Sequence, residues 1–196
     1  MSLVEKVANS FTTIIEMLTD RKLLENDEIE MLSSFQRNEL DKFANKSTSI
    51  FNIDVGEKIR IIYYIGKFQK NEFRPFVENT KFELYLVIMA EKLTSGHMKE
   101  IARLEKPDNS MQFFDLKEVA FNITKHVLVP RHEVIDDEEK IKEIVEKYNV
   151  RSKHHFPIML KTDPVARYYG INSGSLVKIV RVSPSSGEYT LYRCCV

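Results

Sequence analysis

The residue types most able to do chemistry form two adjacent pairs, Cys194-Cys195 and His154-His155. A zinc site needs several Cys or His ligands at spacings that let them converge on one ion. Neighbouring residues of a strand point to opposite faces, so the cysteine pair cannot chelate one ion. Adjacent cysteines also cannot form a normal structural bridge between elements, which fits a reducing compartment. The sequence therefore predicts no metal site and no cofactor.

Motifs for other catalytic chemistry are missing from the sequence. None of the 6 glycines belongs to a phosphate-binding loop that ends in Gly-Lys-Ser/Thr. No Gly-x-Ser-x-Gly nucleophile motif occurs either. Asp54 and Glu83 lie near predicted strands and raise a metal-dependent nuclease as an alternative. Because no Glu-x-Lys follows on the second of these strands, we expect a non-catalytic protein.

Two further groups of residues suggest binding rather than catalysis. His126 and His132 flank a predicted strand and are either pH-sensitive groups or partly buried, hydrogen-bonded side chains. Lys67, Lys70 and Arg74 alternate with aromatic residues, a composition that can approach the phosphates of a nucleic acid. The alternative for these three basic residues is an ordinary exposed loop.

Composition excludes several classes of protein. The chain has 196 residues, with 29 basic residues against 29 acidic ones, so it is no polyanion-binding tail. No apolar run approaches the length of a membrane span, and the first residues lack the apolar core of a signal peptide. We therefore expect an intracellular protein with no membrane partner.

The first half of the chain alternates helical and strand patterns. Apolar residues at helical spacing predict an amphipathic helix over residues 3–18. Asp27 and Glu30 have the spacing of a capping box and predict the start of a second helix. Residues 59–65 and 82–89 are predicted strands, and the second is nearly apolar on both faces, as in the centre of a sheet. Residues 45–54 are predicted to be a turn-rich segment, and residues 67–81 a charged loop.

The second half contains the sharpest local signals. Residues 127–129 are predicted to be extended because Pro130 follows them. Asp136 or Asp137 is the predicted cap of a helix. Asp163 and Pro164 are predicted to begin a short helix that Gly170 ends. Two β-rich runs around a Pro/Ser/Gly connection then predict a C-terminal β-hairpin.

These patterns predict an α+β protein with two domains. Residues 1–121 form an α/β domain with helices around a small sheet, and residues 122–196 form a small mixed α/β domain that ends in the hairpin. No low-complexity linker separates the two.

The second domain also resembles a known family. The resemblance is carried by residues 122–132, 163–170, 174–181 and 185–189, and by Tyr192-Arg193. These runs closely resemble the C-terminal assembly domain of the small subunit shared by the three eukaryotic nuclear RNA polymerases, a family whose archaeal counterpart consists of this domain alone. The resemblance is much weaker over residues 1–121. Ile158 and Leu160 depart from the family, which usually has a charge and an amide at these positions.

The resemblance implies a non-catalytic subunit of a nuclear DNA-directed RNA polymerase that is not a homo-oligomer. It implies docking on the largest subunit and contacts with other subunits through the second domain, and a jaw formed by the first domain near downstream double-stranded DNA. A freestanding nucleic-acid-binding transcription regulator is the alternative, and a cytoplasmic location is the alternative if a large DNA virus encodes the chain. Lys67, Lys70 and Arg74 are the candidate DNA contacts. The candidate docking residues are His126, Pro130, His132, Arg167, Tyr168, Arg181, Tyr192 and Arg193. The alternative is that Tyr168 or Tyr169 packs on the hairpin while Arg167 is solvated.

Overall fold

The computed structural model describes residues 3–34, 50–78, 82–92, 94–103, 110–183 and 187–196. The chain divides into two compact units, Met1–Phe121 and Asn122–Val196. Each unit contains helices and a four-stranded sheet. The predicted α+β class is therefore confirmed.

The first unit is built around a sheet with the strand order β1-β2-β3-β4. Strands β1 and β2 are antiparallel, and β2, β3 and β4 are parallel. Strand β3 is central, as its apolar sequence predicts. The elements in chain order are α1 (Leu3–Asp20), α2 (26–34), β1 (Ile50–Val55), β2 (Ile59–Tyr64), α3 (Lys70–Phe73), α4 (Pro75–Glu78), β3 (Leu84–Met89), α5 (Ser95–Ala102) and β4 (Ser110–Asp115).

Helix α1 packs on one face of this sheet. Its apolar stripe is buried, and the Phe11 ring lies 6.5 Å from that of Tyr63 in β2. The Tyr63 hydroxyl is within 3.1 Å of the Ser10 hydroxyl, so a polar group buried in the core is satisfied. Burial raises the pKa of Tyr63, which keeps this hydroxyl protonated. The predicted first helix is confirmed.

The opposite face of the same sheet is covered by the short helices α3 and α4. Phe73 and Val77 are both fully buried there, against Tyr64 and Val87 of the strands. Burial on both faces explains why β2 and β3 are apolar at successive positions rather than at alternate ones.

Three predictions for the first unit are wrong in detail. Residues 50–55 form a strand rather than a turn, because their polar positions alternate with apolar ones that face the core. Residues 70–78 form two helices rather than a loop, since Pro75 occupies a first helical position, where its missing N–H costs nothing. The capping box of α2 begins two residues early: the Glu25 N–H donates to Glu28 Oε2 at 2.9 Å.

The second unit is built around a sheet with the strand order β5-β7-β8-β6. Strands β5, β7 and β8 are antiparallel neighbours, and β6 pairs with β8 in parallel. The predicted hairpin is confirmed as β7-β8, although residues 184–186 of its connection lie outside the described residues. The elements are a 3-10 helix (Ile123–Lys125), β5 (Arg131–Ile135), α6 (Glu138–Lys147), a second 3-10 helix (Lys153–His155), β6 (Ile158–Met159), α7 (Pro164–Tyr169), β7 (Leu176–Ser183) and β8 (Gly187–Cys195).

Helix α7 has the predicted caps at both ends. Asp163 Oδ1 accepts the N–H of Val165 at 2.8 Å, and Pro164 begins the helix. Gly170 has a φ of 64° and ends the helix in the left-handed conformation, which glycine adopts without steric cost. Val165 and Ala166 are buried, so this helix of 6 residues is held by packing against the sheet.

Replacing Asp163 by alanine tests the N-cap. The N–H of Val165 would lose its acceptor, and we expect the second unit to lose about 0.5–2 kcal/mol of stability. Native-state hydrogen exchange of the β7 and β8 amides in the full chain measures this loss. Thr162→Ala, at the exposed neighbouring position, is the control and should change exchange by less than about 0.5 kcal/mol. Unchanged exchange in the Asp163 variant would show that the cap contributes nothing.

Candidate docking surface and nucleic-acid interface

A groove of about 450 Å³ lies on one face of the second unit. Strands β7 and β8 form its floor, the turn before β5 forms one side, and β6 with the start of α7 forms the other. The lining residues are Leu128, Val129, Pro130, His132, Ile158, Met159, Leu160, Thr162, Asp163, Val165, Ile179, Arg181 and Arg193. Four of the predicted docking residues, Pro130, His132, Arg181 and Arg193, therefore meet in this groove.

The turn of residues 126–130 is fixed by two histidines. His126 Nδ1 accepts the N–H of Leu128 at 3.2 Å, so the proton of the neutral ring is on Nε2. His132 Nδ1 donates to the carbonyl of Pro130 at 2.7 Å, so that ring has the opposite tautomer. The segment is a turn rather than the predicted extended run, and β5 begins at Arg131. Consequently His132 lies within the strand rather than beside it.

The turn side of the groove is apolar and open to water. Leu128 in the turn is 84% exposed, and its neighbour Val127 is 96% exposed. Ile158 and Leu160 beside the groove are also exposed, at 57% and 56%, but Ile158 pairs with Cys194 in the register, so its side chain points to the opposite face of the sheet from Arg193. Clustered exposed apolar side chains of this kind are a sign of a binding surface rather than of ordinary solvent contact. These four residues were not among the predicted docking residues.

The floor of the groove is positively charged. Arg181 pairs with Tyr189 and Arg193 with Val177 in the β7-β8 register, which puts both arginines on the same face. Arg193 Nη1 donates to the carbonyl of Ile158 at 2.9 Å and so ties β8 to the groove side. Partial burial lowers the pKa of His132, and the charges of Arg181 and Arg193 lower it further. His132 is therefore neutral at neutral pH.

The other predicted docking residues lie elsewhere in the second unit. Tyr168 is only 4% exposed, and its hydroxyl accepts an N–H of Asn122 at 2.9 Å, so it packs inside the unit rather than facing a partner. Tyr192 points to the opposite face from Arg193 and packs against Tyr148, with ring centroids 5.3 Å apart. Arg167 is half-buried on α7. Of these residues Tyr168 is buried, and Tyr192 lies on the opposite face of the sheet from Arg181, so they do not form one surface with the groove; docking through Arg167 stays a prediction.

The predicted nucleic-acid contacts lie on a basic segment, residues 65–74, in the first unit. Lys67 and Arg74 are exposed, and Lys70 is half-buried. The Tyr64 hydroxyl organises the segment, because it accepts the N–H of Gln69 and bonds to the Lys67 carbonyl and to Glu72, all within 3.0 Å. Burial is the main cause of the raised pKa of this tyrosine.

The charge of the basic segment is partly neutralised within the unit. Arg74 Nε lies 2.5 Å from Glu78 Oε1. Glu72 adds a second carboxylate near the end of the segment. Any attraction for phosphates is therefore weaker than three basic residues alone would give.

Asp54, the first carboxylate of the nuclease alternative, is held in an ion pair. Arg60 contacts both of its oxygens at 2.6 Å and holds the pKa of the carboxyl below its usual value. Glu83 lies before the third strand rather than on it. Within the described residues, no group of three or more His, Cys, Asp or Glu side chains is placed to hold a metal ion. In the same part of the chain, no helix is long and apolar enough to span a membrane.

The two cysteines are buried free thiols at the end of β8. The Cys194 sulfur lies 3.6 Å from His154 Nδ1, and the Cys195 sulfur contacts the carbonyl of Ile171 on the other side. Burial raises the pKa of Cys195, so this thiol is protonated and unreactive.

Comparison with known proteins identifies the relatives of this chain. Residues 121–195 match the family model described as RNA polymerase Rpb5, C-terminal domain. The DNA-directed RNA polymerases I, II, and III subunit rpabc1 of Dictyostelium discoideum is 28% identical over 192 residues, which is 94% of each chain. The DNA-directed RNA polymerases IV and V subunit 5B of Arabidopsis thaliana is 26% identical over 93% of this chain and 86% of its own length.

A third relative is closer in sequence over a shorter stretch. The DNA-directed RNA polymerases I, II, and III subunit RPABC1 of Caenorhabditis briggsae is 40% identical over 111 residues, 57% of this chain and 51% of its own length. The resemblance to the small subunit shared by the eukaryotic nuclear RNA polymerases is therefore confirmed, and residues 121–195 match the C-terminal domain of that family.

Proposed function

We propose that this chain is a non-catalytic subunit of a DNA-directed RNA polymerase and acts in the nucleus. The observation that supports this most directly is similarity over nearly the whole chain to proteins named as shared polymerase subunits. The absence of catalytic motifs from the sequence agrees with such a role, since phosphodiester chemistry then belongs to the large subunits.

In this proposal the second unit docks on the largest polymerase subunit through the groove. The exposed apolar turn and the two arginines of the floor support docking, because clustered exposed apolar side chains mark binding surfaces and Arg is enriched among the residues that dominate interfaces. Ile158 and Leu160, the residues that depart from the family, are exposed beside the groove and extend the surface we assign to the partner.

The first unit then lies near downstream DNA and contacts it weakly. Lys67 is exposed at the start of the basic segment, whereas Arg74 already has an ion-pair partner in Glu78. We therefore expect contact with DNA to help position the duplex and to contribute little to assembly.

Purification of the endogenous protein tests the proposal. A polymerase subunit is expected to co-migrate in stoichiometric amounts with the two largest polymerase subunits. The alternative is a freestanding nucleic-acid-binding regulator, which would purify as a monomer that shifts DNA by itself. Fractionation of the same cells tests location, since recovery in the cytoplasm would favour a viral polymerase.

Charge reversal in the basic segment tests the contact with DNA. Changing Lys67, Lys70 and Arg74 to glutamate is expected to lower the affinity of the assembled polymerase for duplex DNA about three- to tenfold at low salt, because electrostatic attraction to phosphates is lost. The control is Lys142→Glu, Lys147→Glu and Arg151→Glu, an equal change of charge at exposed positions of the second unit. If both variants bind duplex DNA with equal affinity, the contact with DNA does not lie in the basic segment.

A further inference from the structure

We propose that the edge of the sheet at β6 is a second contact surface, which binds an apolar segment with acidic side chains in the largest polymerase subunit. Its apolar part consists of the side chains of Ile158, Leu160 and Val196, which we call the β6 patch. The patch lies on the opposite face of the sheet from Arg181. The inference rests on the proposed function and adds a contact outside the groove, with the chemistry of the segment that fills it.

The strand ladder brings the three side chains of the patch together. The Val196 N–H donates to the Met159 carbonyl at 2.9 Å, and the Lys161 N–H donates to the Val196 carbonyl at 2.8 Å. In a parallel ladder, a residue bonded to both neighbours of a position lies beside that position, so Val196 lies beside Leu160. Ile158 and Leu160 are two residues apart on the same strand and therefore share a face.

The patch is open to water. Ile158 is 57% exposed, Leu160 is 56% exposed and Val196 is 48% exposed. Strand β6 lies at the edge of the described sheet. Three neighbouring aliphatic side chains at a sheet edge are typical of a contact with another protein, because a partner removes all of them from water together.

The border of the patch is basic. Residues 151–162 contain three Lys or Arg and two His side chains and no Asp or Glu. Lys161 is exposed directly after the patch, and His154 is exposed before β6, where its Nδ1 lies 3.6 Å from the buried Cys194 sulfur. Asp163 is the next carboxylate along the chain, and one of its oxygens already caps α7. The border therefore carries positive charge that an acidic partner would balance.

Arg193 brings a guanidinium to the outer edge of β6. The carbonyls of Pro157 and Met159 accept N–H groups of β8, so the Ile158 carbonyl between them points away from β8. Arg193 Nη1 donates to that outward carbonyl at 2.9 Å. A guanidinium has five N–H donors, more than this bond uses, so a carboxylate of the partner can pair with it beside the patch.

A protein segment fits this surface better than a nucleic acid does. Phosphates could pair with Arg193 and Lys161, but the aliphatic side chains of the patch offer no ring on which a base could stack. A segment with both apolar and acidic residues satisfies the patch and its border together. Because Arg193 also lines the groove, the patch continues the surface assigned to the largest subunit, and the occupant is a segment of that subunit.

Capture of the purified largest polymerase subunit by the immobilised full-length chain tests the apolar part. Ile158→Thr combined with Leu160→Gln removes apolar surface without adding charge. This variant is expected to weaken capture at least about tenfold, both at about 50 mM and at about 500 mM salt. The control is Val182→Thr at the far end of β7, where the side chain is 82% exposed, and it should change capture less than about twofold. Equal capture by the two variants would overturn the patch.

Lys161→Glu tests the acidic part in the same assay. Capture is expected to weaken about three- to tenfold at about 50 mM salt and less than about twofold at about 500 mM, because salt screens exposed charges. The control is Arg131→Glu, an equal change of charge at an exposed position of β5, the opposite edge strand of the sheet. Stronger capture by Lys161→Glu, or equal effects of the two variants, would overturn an acidic partner segment.

A photo-reactive amino acid in place of Leu160 identifies the segment in the purified polymerase. The expected crosslink joins this position to a stretch of the largest subunit that has both apolar and acidic side chains. A crosslink to a basic stretch, to another subunit or to DNA would contradict the inference, as would an assembled polymerase that gives no crosslink. If the wild-type chain neither captures the largest subunit nor co-purifies with a polymerase, the proposed function fails and this inference fails with it.

Discussion

Replacing Phe73 by alanine is expected to lower the free energy of unfolding of the first unit by about 3–5 kcal/mol, the usual loss for a fully buried aromatic residue. Phe73 has no exposed surface, and its ring lies 5.6 Å from that of Phe68 and 6.4 Å from that of Phe113. It is the residue through which α3 packs on the sheet, so the cavity left by alanine would also loosen the basic segment.

Chemical denaturation of the full chain, followed by hydrogen exchange of the β2 and β3 amides, measures this loss. Phe121→Ala removes the same side chain from a position that is 58% exposed, and it should cost less than about 0.5 kcal/mol. A loss below about 1 kcal/mol in the Phe73 variant would mean that α3 does not close this face of the sheet.

The largest effect on assembly is expected from the exposed apolar residues Ile158 and Leu160 at β6. Changing both Ile158 and Leu160 to glutamate should weaken capture of the largest polymerase subunit about 30-fold or more, which corresponds to about 2 kcal/mol or more. Both side chains are more than half exposed, so the free chain should keep its stability. The two new carboxylates would have to be buried against the partner, which adds a desolvation cost.

Val182→Glu is the matched control for that variant. Val182 is 82% exposed and pairs with Glu188, which puts it on the opposite face of the hairpin from Arg181. It lines a second concavity that shares Leu128, Val129, Pro130 and Arg181 with the groove but includes no residue of β6. Equal weakening by the control and by the double variant would place the partner on the hairpin tip instead.

Much of the fold could be predicted because its signals are local. The caps of α7 are fixed by Asp163, Pro164 and Gly170, each through the geometry of its own backbone. Strand β3 is predicted by its uninterrupted apolar run. The helices α3 and α4 could not be predicted in the same way, since each is only 4 residues long and depends on burial of Phe73 or Val77 against distant strands.

The candidate site was only partly predictable. Arg181 and Arg193 could be placed on one face from strand periodicity once the hairpin register was known. The burial of Tyr168 could not be predicted from the sequence, because a short amphipathic helix can bury either of two adjacent tyrosines. The exposed Val127 and Leu128 were missed because an apolar run before a proline predicts an extended segment. Instead a turn is held by the Leu128 N–H, which donates to the His126 ring, and by the His132 ring, which donates to the Pro130 carbonyl.

The paired tautomers of His126 and His132 have a consequence for the speed of assembly. Because the chain itself fixes the turn, its backbone has little conformational freedom left to lose when a partner arrives. A surface prepared in this way needs no slow rearrangement after first encounter. We therefore expect diffusion and the field of the arginines to set the association rate, and the lifetime of the complex to depend on how well the partner fits the turn.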